Sequence, residues 1–171
     1  MAAKKFLRLV TGRISEIVGT VVSTGAPNDG DIPALDATGR LDTSLMPVGI
    51  TPAAKVIVAS ENLSAGDFVN IHDAAGVARV RRADATDPAK YAQGFVLAAV
   101  IAPATGVVFF EDVNTSLSGL TPGQRLYLSA STPGGHTTTP PSTAGQIVQS
   151  IGVAIDPAEM SFEPQEPITV A

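Results

Sequence analysis

Two histidines, His72 and His136, are the first residues to consider as chemical groups, because the chain contains no cysteine. A structural zinc site needs about four nitrogen, sulfur or carboxylate ligands. Two imidazoles without a thiolate cannot make a histidine-rich site within one chain. We therefore expect His72 to be a solvated residue on the polar face of a strand, and His136 to be one in a glycine- and threonine-rich loop. Three copies of His136 around a trimer axis are the alternative.

The acidic side chains are poorly spaced for catalysis and for calcium. Glu111 and Asp112 are adjacent, so on a continuous strand they point to opposite faces and do not form an acid–base pair. Residues 28–31, which read NDGD, superficially resemble a calcium loop together with Asp36. They lack the EF-hand spacing and its terminal bidentate glutamate. We therefore interpret this segment as a turn.

The remaining motifs do not indicate catalysis. The sequence has no nucleophile elbow, phosphate-binding loop or dinucleotide-binding glycine motif. Arg79, Arg81 and Arg82 form the one concentrated basic group after residue 50, and at most two of them share a face of a strand. We expect them to pair with the nearby Asp84 and Asp87, with an acidic partner surface as the alternative. No catalytic residue, metal ligand or cofactor is predicted, and we do not expect an enzyme.

Composition indicates a folded, β-rich protein. Of 171 residues, 44% are hydrophobic and 16% are charged, against a typical charged share of about 25%. The 16 glycines and 13 prolines favour many short strands joined by tight turns. The net charge of −5 argues against direct nucleic-acid binding, which requires clustered Lys and Arg. The longest apolar stretch, 95–110, is too short for a membrane helix. Because no signal peptide is recognisable, we expect synthesis in the cytoplasm without export.

Residues 51–171 show the alternating pattern of an all-β body. Apolar and polar residues alternate, or form short apolar runs, in eight or nine segments separated by turn signals, which is typical of a β-sandwich or β-barrel. The predicted strands are 55–59, 67–73, 77–82, 93–102, 106–111, 125–130, 146–155, 160–162 and 168–170. A single helical turn, capped by Asp84 or Asp87, is expected near Pro88.

Residues 1–50 form a different region, an extended N-terminal arm and connector. Residues 6–10 and 13–18 predict a short hairpin around Thr11-Gly12, and the segment after it is rich in turn formers. Residues 1–13 contain four basic side chains and no acidic one, whereas the net negative charge lies in residues 51–171. So few large apolar side chains cannot build a core of their own. We expect this arm to lie on another surface.

Two stretches resemble a family. Residues 118–129 (SGLTPGQRLYLS) and 138–154 (TTPPSTAGQIVQSIGVA) look like a small β-module of tailed-bacteriophage virion proteins. Residues 31–47 (DIPALDATGRLDTSLMP) are similar to the connector that often precedes it. The resemblance implies a capsid decoration, or cement, protein: a homotrimer on the capsid exterior that binds the major capsid protein and stabilises contacts between its subunits. It implies contact with neither DNA nor a membrane.

The arm is the predicted capsid-binding region. It would add strands or apolar contacts to a neighbour's surface, with its basic residues meeting acidic groups there. The candidate residues are Lys4, Lys5, Phe6, Leu7, Arg8, Leu9, Val10, Arg13, Leu35 and Leu41.

Two other functions remain open from the sequence. A tail or head fibre component would dock to the virion through the arm and bind a host surface through the body. A depolymerase acting on polysaccharide would need paired carboxylates and an aromatic-lined groove, but the chain has two Tyr, six Phe and no Trp.

Overall fold

The computed structural model describes residues 5–37, 39–46 and 53–171. It is an all-β protein, as the sequence predicts, and its extended N-terminal region carries the predicted short hairpin. Within the described residues the helical segments are three 3-10 turns, at Ala26–Asn28, Thr43–Leu45 and Pro88–Lys90. The chain divides into two units, Met1–Thr51 and Pro52–Ala171, which we call the N-terminal unit and the body.

The N-terminal unit is a hairpin followed by a mostly irregular connector. Strands β1 (Lys5–Val10) and β2 (Arg13–Val18) pair antiparallel. After β2, an isolated bridge joins Thr20 to Pro33. Ala34 is the one buried hydrophobic residue in the described part of this unit. The described residues of the unit therefore form no hydrophobic core of their own, because the composition supplies too few large apolar side chains to enclose one.

The first half of the body is a closed five-stranded barrel. In order around the barrel its strands run β3-β5-β4-β6-β7. The β3–β5 pair is parallel, and the other pairs are antiparallel. The strands are β3 (Ala54–Ala59), β4 (Phe68–Ala74), β5 (Val77–Arg82), β6 (Gly94–Val96) and β7 (Thr105–Phe109).

The second half of the body is a five-stranded antiparallel sheet with a small two-stranded addition. The sheet order is β10-β9-β12-β13-β8, and β11 pairs with β14. The strands are β8 (Asp112–Asn114), β9 (Arg125–Leu128), β10 (His136–Thr137), β11 (Ile147–Val148), β12 (Ser150–Asp156), β13 (Glu159–Phe162) and β14 (Ile168–Thr169).

Two hydrophobic cores share the walls formed by β4 and β6. Val69 and Val96 belong to the cluster drawn from the barrel strands, whereas the adjacent Phe68 and Phe95 belong to the cluster shared with the sheet. Successive residues of a strand point to opposite faces, so both faces of β4 and β6 are buried at these positions. That burial explains the continuous apolar run around residue 95, which is the sequence signature of a strand covered on both sides.

Phe162 of β13 connects the sheet to the barrel. Its ring centroid lies 5.7 Å from that of Phe68 in a stacked arrangement and 5.3 Å from that of Phe95 in an edge-on one. Phe95 also stacks on Phe109, at 5.5 Å. Rings at these separations gain stabilisation beyond the area they bury.

The predicted strand over residues 93–102 is too long, since β6 ends at Val96. Beyond it the chain bends, and Val100 makes an isolated bridge to Leu63. Val100 is buried in the barrel cluster and packs against Gly106, where an added Cβ would lie 2.5 Å from Val100 Cγ2. The apolar run therefore continues because this loop contributes to the core, not because the strand continues.

Gly152 is required by the pairing of β12 with β13. Its φ of +143° lies outside the range that L side chains commonly adopt, and an added Cβ would lie 1.9 Å from the Ser161 carbonyl oxygen. The strands could not keep their separation with any larger residue at this position.

We expect Gly152→Ala to lower the free energy of unfolding of the body by about 3 kcal/mol or more, the range of strongly disruptive substitutions. Gly119→Ala is the matched control, because Gly119 also has a positive φ, +72°, but has no atom within 4 Å of an added Cβ. It should cost only about 1 kcal/mol, the backbone term alone. Tyr91 and Tyr127 are the only tyrosines, so tyrosine fluorescence during urea unfolding follows the body. Equal losses would contradict the steric argument.

Candidate functional site

The hairpin of the N-terminal unit owes its register to a two-residue turn. Thr11 and Gly12 both have positive φ, 49° and 79°, the combination of the turn whose twist best matches paired strands. Val10 consequently pairs with Arg13, and Leu9 with Ile14. Because side chains alternate along each strand, this register fixes which residues share each face.

One face of the hairpin is apolar and exposed. The exposed fractions of its apolar side chains are 75% for Leu7, 69% for Leu9, 75% for Ile14 and 59% for Val18. We call these four residues the hairpin face. Contiguous exposed apolar surface rimmed by polar groups is typical of an interaction site.

The charged residues on the same side neutralise each other. Lys5 Nζ forms an ion pair with Glu16, and both side chains are about half exposed. An exposed pair of this kind contributes little to stability. Glu16 lies opposite Leu7 and between Ile14 and Val18 along β2, so the pair lies among the apolar side chains and leaves this side of the hairpin without net charge. Lys5 therefore has an acidic partner within the hairpin, and its contact with an acidic group on another surface stays a prediction.

The opposite face of the hairpin lies against the connector. Phe6 packs on the backbone of Gly19, where an added Cβ would be 2.7 Å from Phe6 Cε2 and 2.7 Å from Ala34 Cβ. Arg8 Nη1 donates a hydrogen bond of 2.9 Å to the Gly30 carbonyl. These contacts hold one side of the hairpin and leave the hairpin face on the other.

Asp31 organises the connector beside this packing. Its Oδ2 accepts hydrogen bonds from Thr20 Oγ1 at 2.7 Å and from Asn28 Nδ2 at 2.9 Å. The Thr20 bond is the largest cause, and the Asn28 bond the next, of a pKa for Asp31 below its ordinary value of 3.8. Asn28 and Asp31 thus bond to each other within a turn. In the described part of the chain, no group of three or more His, Asp or Glu side chains is arranged to hold a metal ion.

The ten predicted site residues do not form one surface. Lys4 lies outside the described residues. Leu7 and Leu9 lie on the hairpin face, whereas Phe6 and Arg8 face the connector. Lys5 lies on the same side of the hairpin as Leu7 and Leu9, and Val10 and Arg13 flank the turn. Leu35 and Leu41 are about half exposed in the connector.

Sequence reasoning missed Ile14 and Val18, which complete the hairpin face, and Glu16, which pairs with Lys5. The signal was present in the sequence. A two-residue turn at Thr11-Gly12 places Leu9 opposite Ile14, and alternation along β2 then adds Glu16 and Val18 to the same face.

The arginine group of β5 has different partners from those expected. Arg81 Nε donates to Asn70 Oδ1 at 3.0 Å, and Arg82 pairs with Glu61 at 3.4 Å. Asp84 and Asp87 instead accept hydrogen bonds from Thr86 and Ala89 within their own loop. The predicted pairing with Asp84 and Asp87 is wrong, because those carboxylates bond locally; Asp87 does cap the predicted helical turn.

Both histidines are more constrained than expected. His72 Nε2 lies 2.9 Å from Ser60 Oγ, and its Nδ1 lies 3.2 Å from the Asp73 carbonyl oxygen. A serine–histidine contact is the pairing that activates a nucleophile, but the Val80 carbonyl, 3.1 Å from Ser60 Oγ, competes for the single hydroxyl proton.

His136 lies in β10 and not in a loop, and burial lowers its pKa.

A groove of about 580 Å³ lies in the body beside the end of β13. It brings Glu111 and Asp112 close to Glu163, so these acidic residues share a surface although the first two are adjacent in sequence. Glu163 Oε1 accepts from Ser161 Oγ at 3.0 Å, and Asp112 Oδ1 accepts from the Val113 N–H at 2.8 Å. The lining residues are Phe110, Glu111, Asp112, Ser161, Phe162, Glu163, Pro164 and Gln165.

Comparison with known proteins adds no relative: no protein-family model, no curated protein and no solved structure matches this chain. Within the described residues, no helix is long and apolar enough to cross a membrane.

We expect Thr20→Val to raise the pKa of Asp31 toward 3.8, because it removes the largest cause of the lowering. Folding lowers this pKa, so the contribution of the carboxylate to stability is present above the unfolded value near 3.8 and is lost as the pH falls through the lower folded value. The carboxyl carbon chemical shift of Asp31, recorded against pH for the folded and for the unfolded chain, gives the pKa in each state. Thr169→Val, in the body, should leave the titration unchanged. An unaltered Asp31 titration in Thr20→Val would contradict the assignment.

Proposed function

We propose that this chain is a structural protein of a bacteriophage virion that binds the capsid exterior and stabilises contacts between major capsid protein subunits. The N-terminal unit provides the attachment and the body is carried on the outside, as a homotrimer. The observation that carries the proposal is the hairpin face, an apolar surface in a unit without a hydrophobic core. The sequence resemblance of residues 31–47, 118–129 and 138–154 to phage virion proteins supports it.

The hairpin face gains free energy when a partner covers it. Full burial of a Val, Leu or Ile side chain contributes roughly 1.5–3 kcal/mol. The four side chains of the face are more than half exposed in the unit itself, so most of this contribution is still available for binding. A repeated capsid surface multiplies it, because several attachment units of one assembly bind with avidity.

Apolar contact, not charge attraction, is the main element of this attachment. Lys5 is paired with Glu16 and Arg8 with the Gly30 carbonyl, so two of the basic side chains of the arm are already occupied. Arg13, beside the turn, is exposed and has no ion pair among those of the described residues. Binding should therefore depend only weakly on salt, since apolar burial is not screened.

The direct test is a double substitution on the hairpin face, Leu9→Thr with Ile14→Thr. Threonine keeps a high strand propensity, so the hairpin is retained while two apolar contacts are lost. We expect binding to purified capsids that lack this protein to weaken on the order of a hundredfold, from about 1.5 kcal/mol per side chain. Co-sedimentation across a concentration series measures the affinity.

Ile168→Thr is the matched control, because Ile168 is a strand residue of the body that is 70% exposed. It should bind as the unsubstituted chain does. Amide chemical shifts of Phe6 and Ile17 report whether the hairpin persists in the double variant. Undiminished binding by a variant with an intact hairpin would overturn the assignment of the hairpin face.

Copy number separates capsid decoration from a fibre component. A decoration protein is present at a simple ratio to the major capsid protein, whereas a fibre is present in a few copies per particle. Quantitative mass spectrometry of purified virions gives this ratio. A few copies per particle would reject decoration and favour a body that binds a host surface.

A further inference from the structure

One side of the outer surface of the barrel is covered by the sheet, and another side is exposed to solvent. Phe68 and Phe95 project from the outer faces of β4 and β6 into the core shared with the sheet. On β3, β5 and β7 the outward positions include Val56, Val77 and Val107, which are 61%, 55% and 47% exposed. We call these three valines the barrel flank. Val56 pairs directly with Val107 across β3 and β7, so the apolar surface crosses adjacent strands.

Arg79 projects from the same outer surface. It lies two residues after Val77 on β5, which places both side chains on one face, and it pairs with Val58 of β3, two residues after Val56. On its other side it pairs with His72 of β4. The guanidinium therefore stands beside the barrel flank, next to an imidazole held by its own hydrogen bonds to Ser60 and Asp73.

Arg79 differs from the other two arginines of β5 in lacking an internal partner. Arg81 bonds to Asn70 and Ala89, and Arg82 pairs with Glu61. Arg79 Nε and Arg82 Nε are both covered from solvent without a hydrogen-bond partner. Arg82 nevertheless has Glu61 as its ion-pair partner, whereas none of the ion pairs among the described residues includes Arg79. A covered N–H without an acceptor is unfavourable, and a partly desolvated guanidinium interacts more strongly with an anion than a fully hydrated one.

We propose that Arg79 binds a carboxylate side chain of a protein partner, with the barrel flank as the apolar surround. None of the ion pairs of the described residues gives Arg79 a carboxylate partner, and a guanidinium binds a carboxylate through two parallel hydrogen bonds. An arginine set among exposed apolar side chains is typical of the centre of a protein interface. This contact lies in the body and does not depend on the hairpin face.

Arginine side-chain NMR on the full-length chain tests the proposal. The probes are two blocked tripeptides, acetyl-Val-Glu-Val-amide and acetyl-Val-Gln-Val-amide, and inorganic phosphate, each added at constant ionic strength. We expect the Glu peptide to shift the Arg79 Nε–H signal and the methyl signals of the barrel flank saturably. The Gln peptide, which replaces the carboxylate by a neutral amide of the same shape, should bind at least tenfold more weakly, and phosphate should give the smaller response of the two anions.

Arg125 supplies the control, because it is an exposed arginine on β9 of the sheet. Its Nε–H signal should change only linearly with the Glu peptide, and Arg125→Gln should keep peptide binding, whereas Arg79→Gln should lose it. Tyrosine fluorescence confirms that both variants are folded. Equal shifts at Arg79 and Arg125, equal binding of the two peptides, or stronger saturation by phosphate would overturn the proposal. The hairpin variants play no part here, so this test and that of capsid attachment fail independently.

Discussion

Burial of both faces of β4 and β6 is the constraint on which the body depends. Phe68 and Phe95 face the sheet, while their neighbours Val69 and Val96 face the barrel interior. Where a strand is covered on both sides it has no exposed side chains, so the exposed residues of the hairpin face and of the barrel flank lie elsewhere. They lie on the strands farther around the barrel, β3, β5 and β7, and on the separate hairpin of the N-terminal unit.

Alternation of side chains predicted most of the strands of the body and the hairpin, because an apolar residue at every second position identifies a face before any partner is known. Alternation does not show, however, which polar positions of a strand are solvated. Asn70 is buried, where it donates to the Tyr91 carbonyl and the Gln93 side chain and accepts from Arg81. Tyr91 and Gln93 belong to the loop after β5, and no local sequence pattern indicates that a loop folds over a strand.

The candidate site was also predicted only in part, because the sequence list did not separate the residues by the face of the hairpin on which they lie. The apolar composition of the arm was visible in the sequence, but a contiguous list from Lys4 to Val10 mixes the two faces of β1. Leu7 and Leu9 are exposed, whereas Phe6 packs against Gly19. Once the turn at Thr11 and Gly12 fixes the register, Ile14 and Val18 follow. The pairing of Arg82 with Glu61 and the isolation of Arg79 depend instead on how distant strands close the barrel, which the sequence does not encode locally.

The position of β3 has a mechanical consequence. It is the first strand of the body in the chain, and it is enclosed between β7, which runs antiparallel, and β5, which runs parallel. Any tension that reaches the body through the N-terminal unit is therefore applied at one end of β3. Pulling along a strand loads its hydrogen bonds to both neighbours together, instead of opening them one at a time as peeling an edge strand would. β3 therefore closes the barrel, and it is also the strand that would bear the tension if the body were tethered through the N-terminal unit.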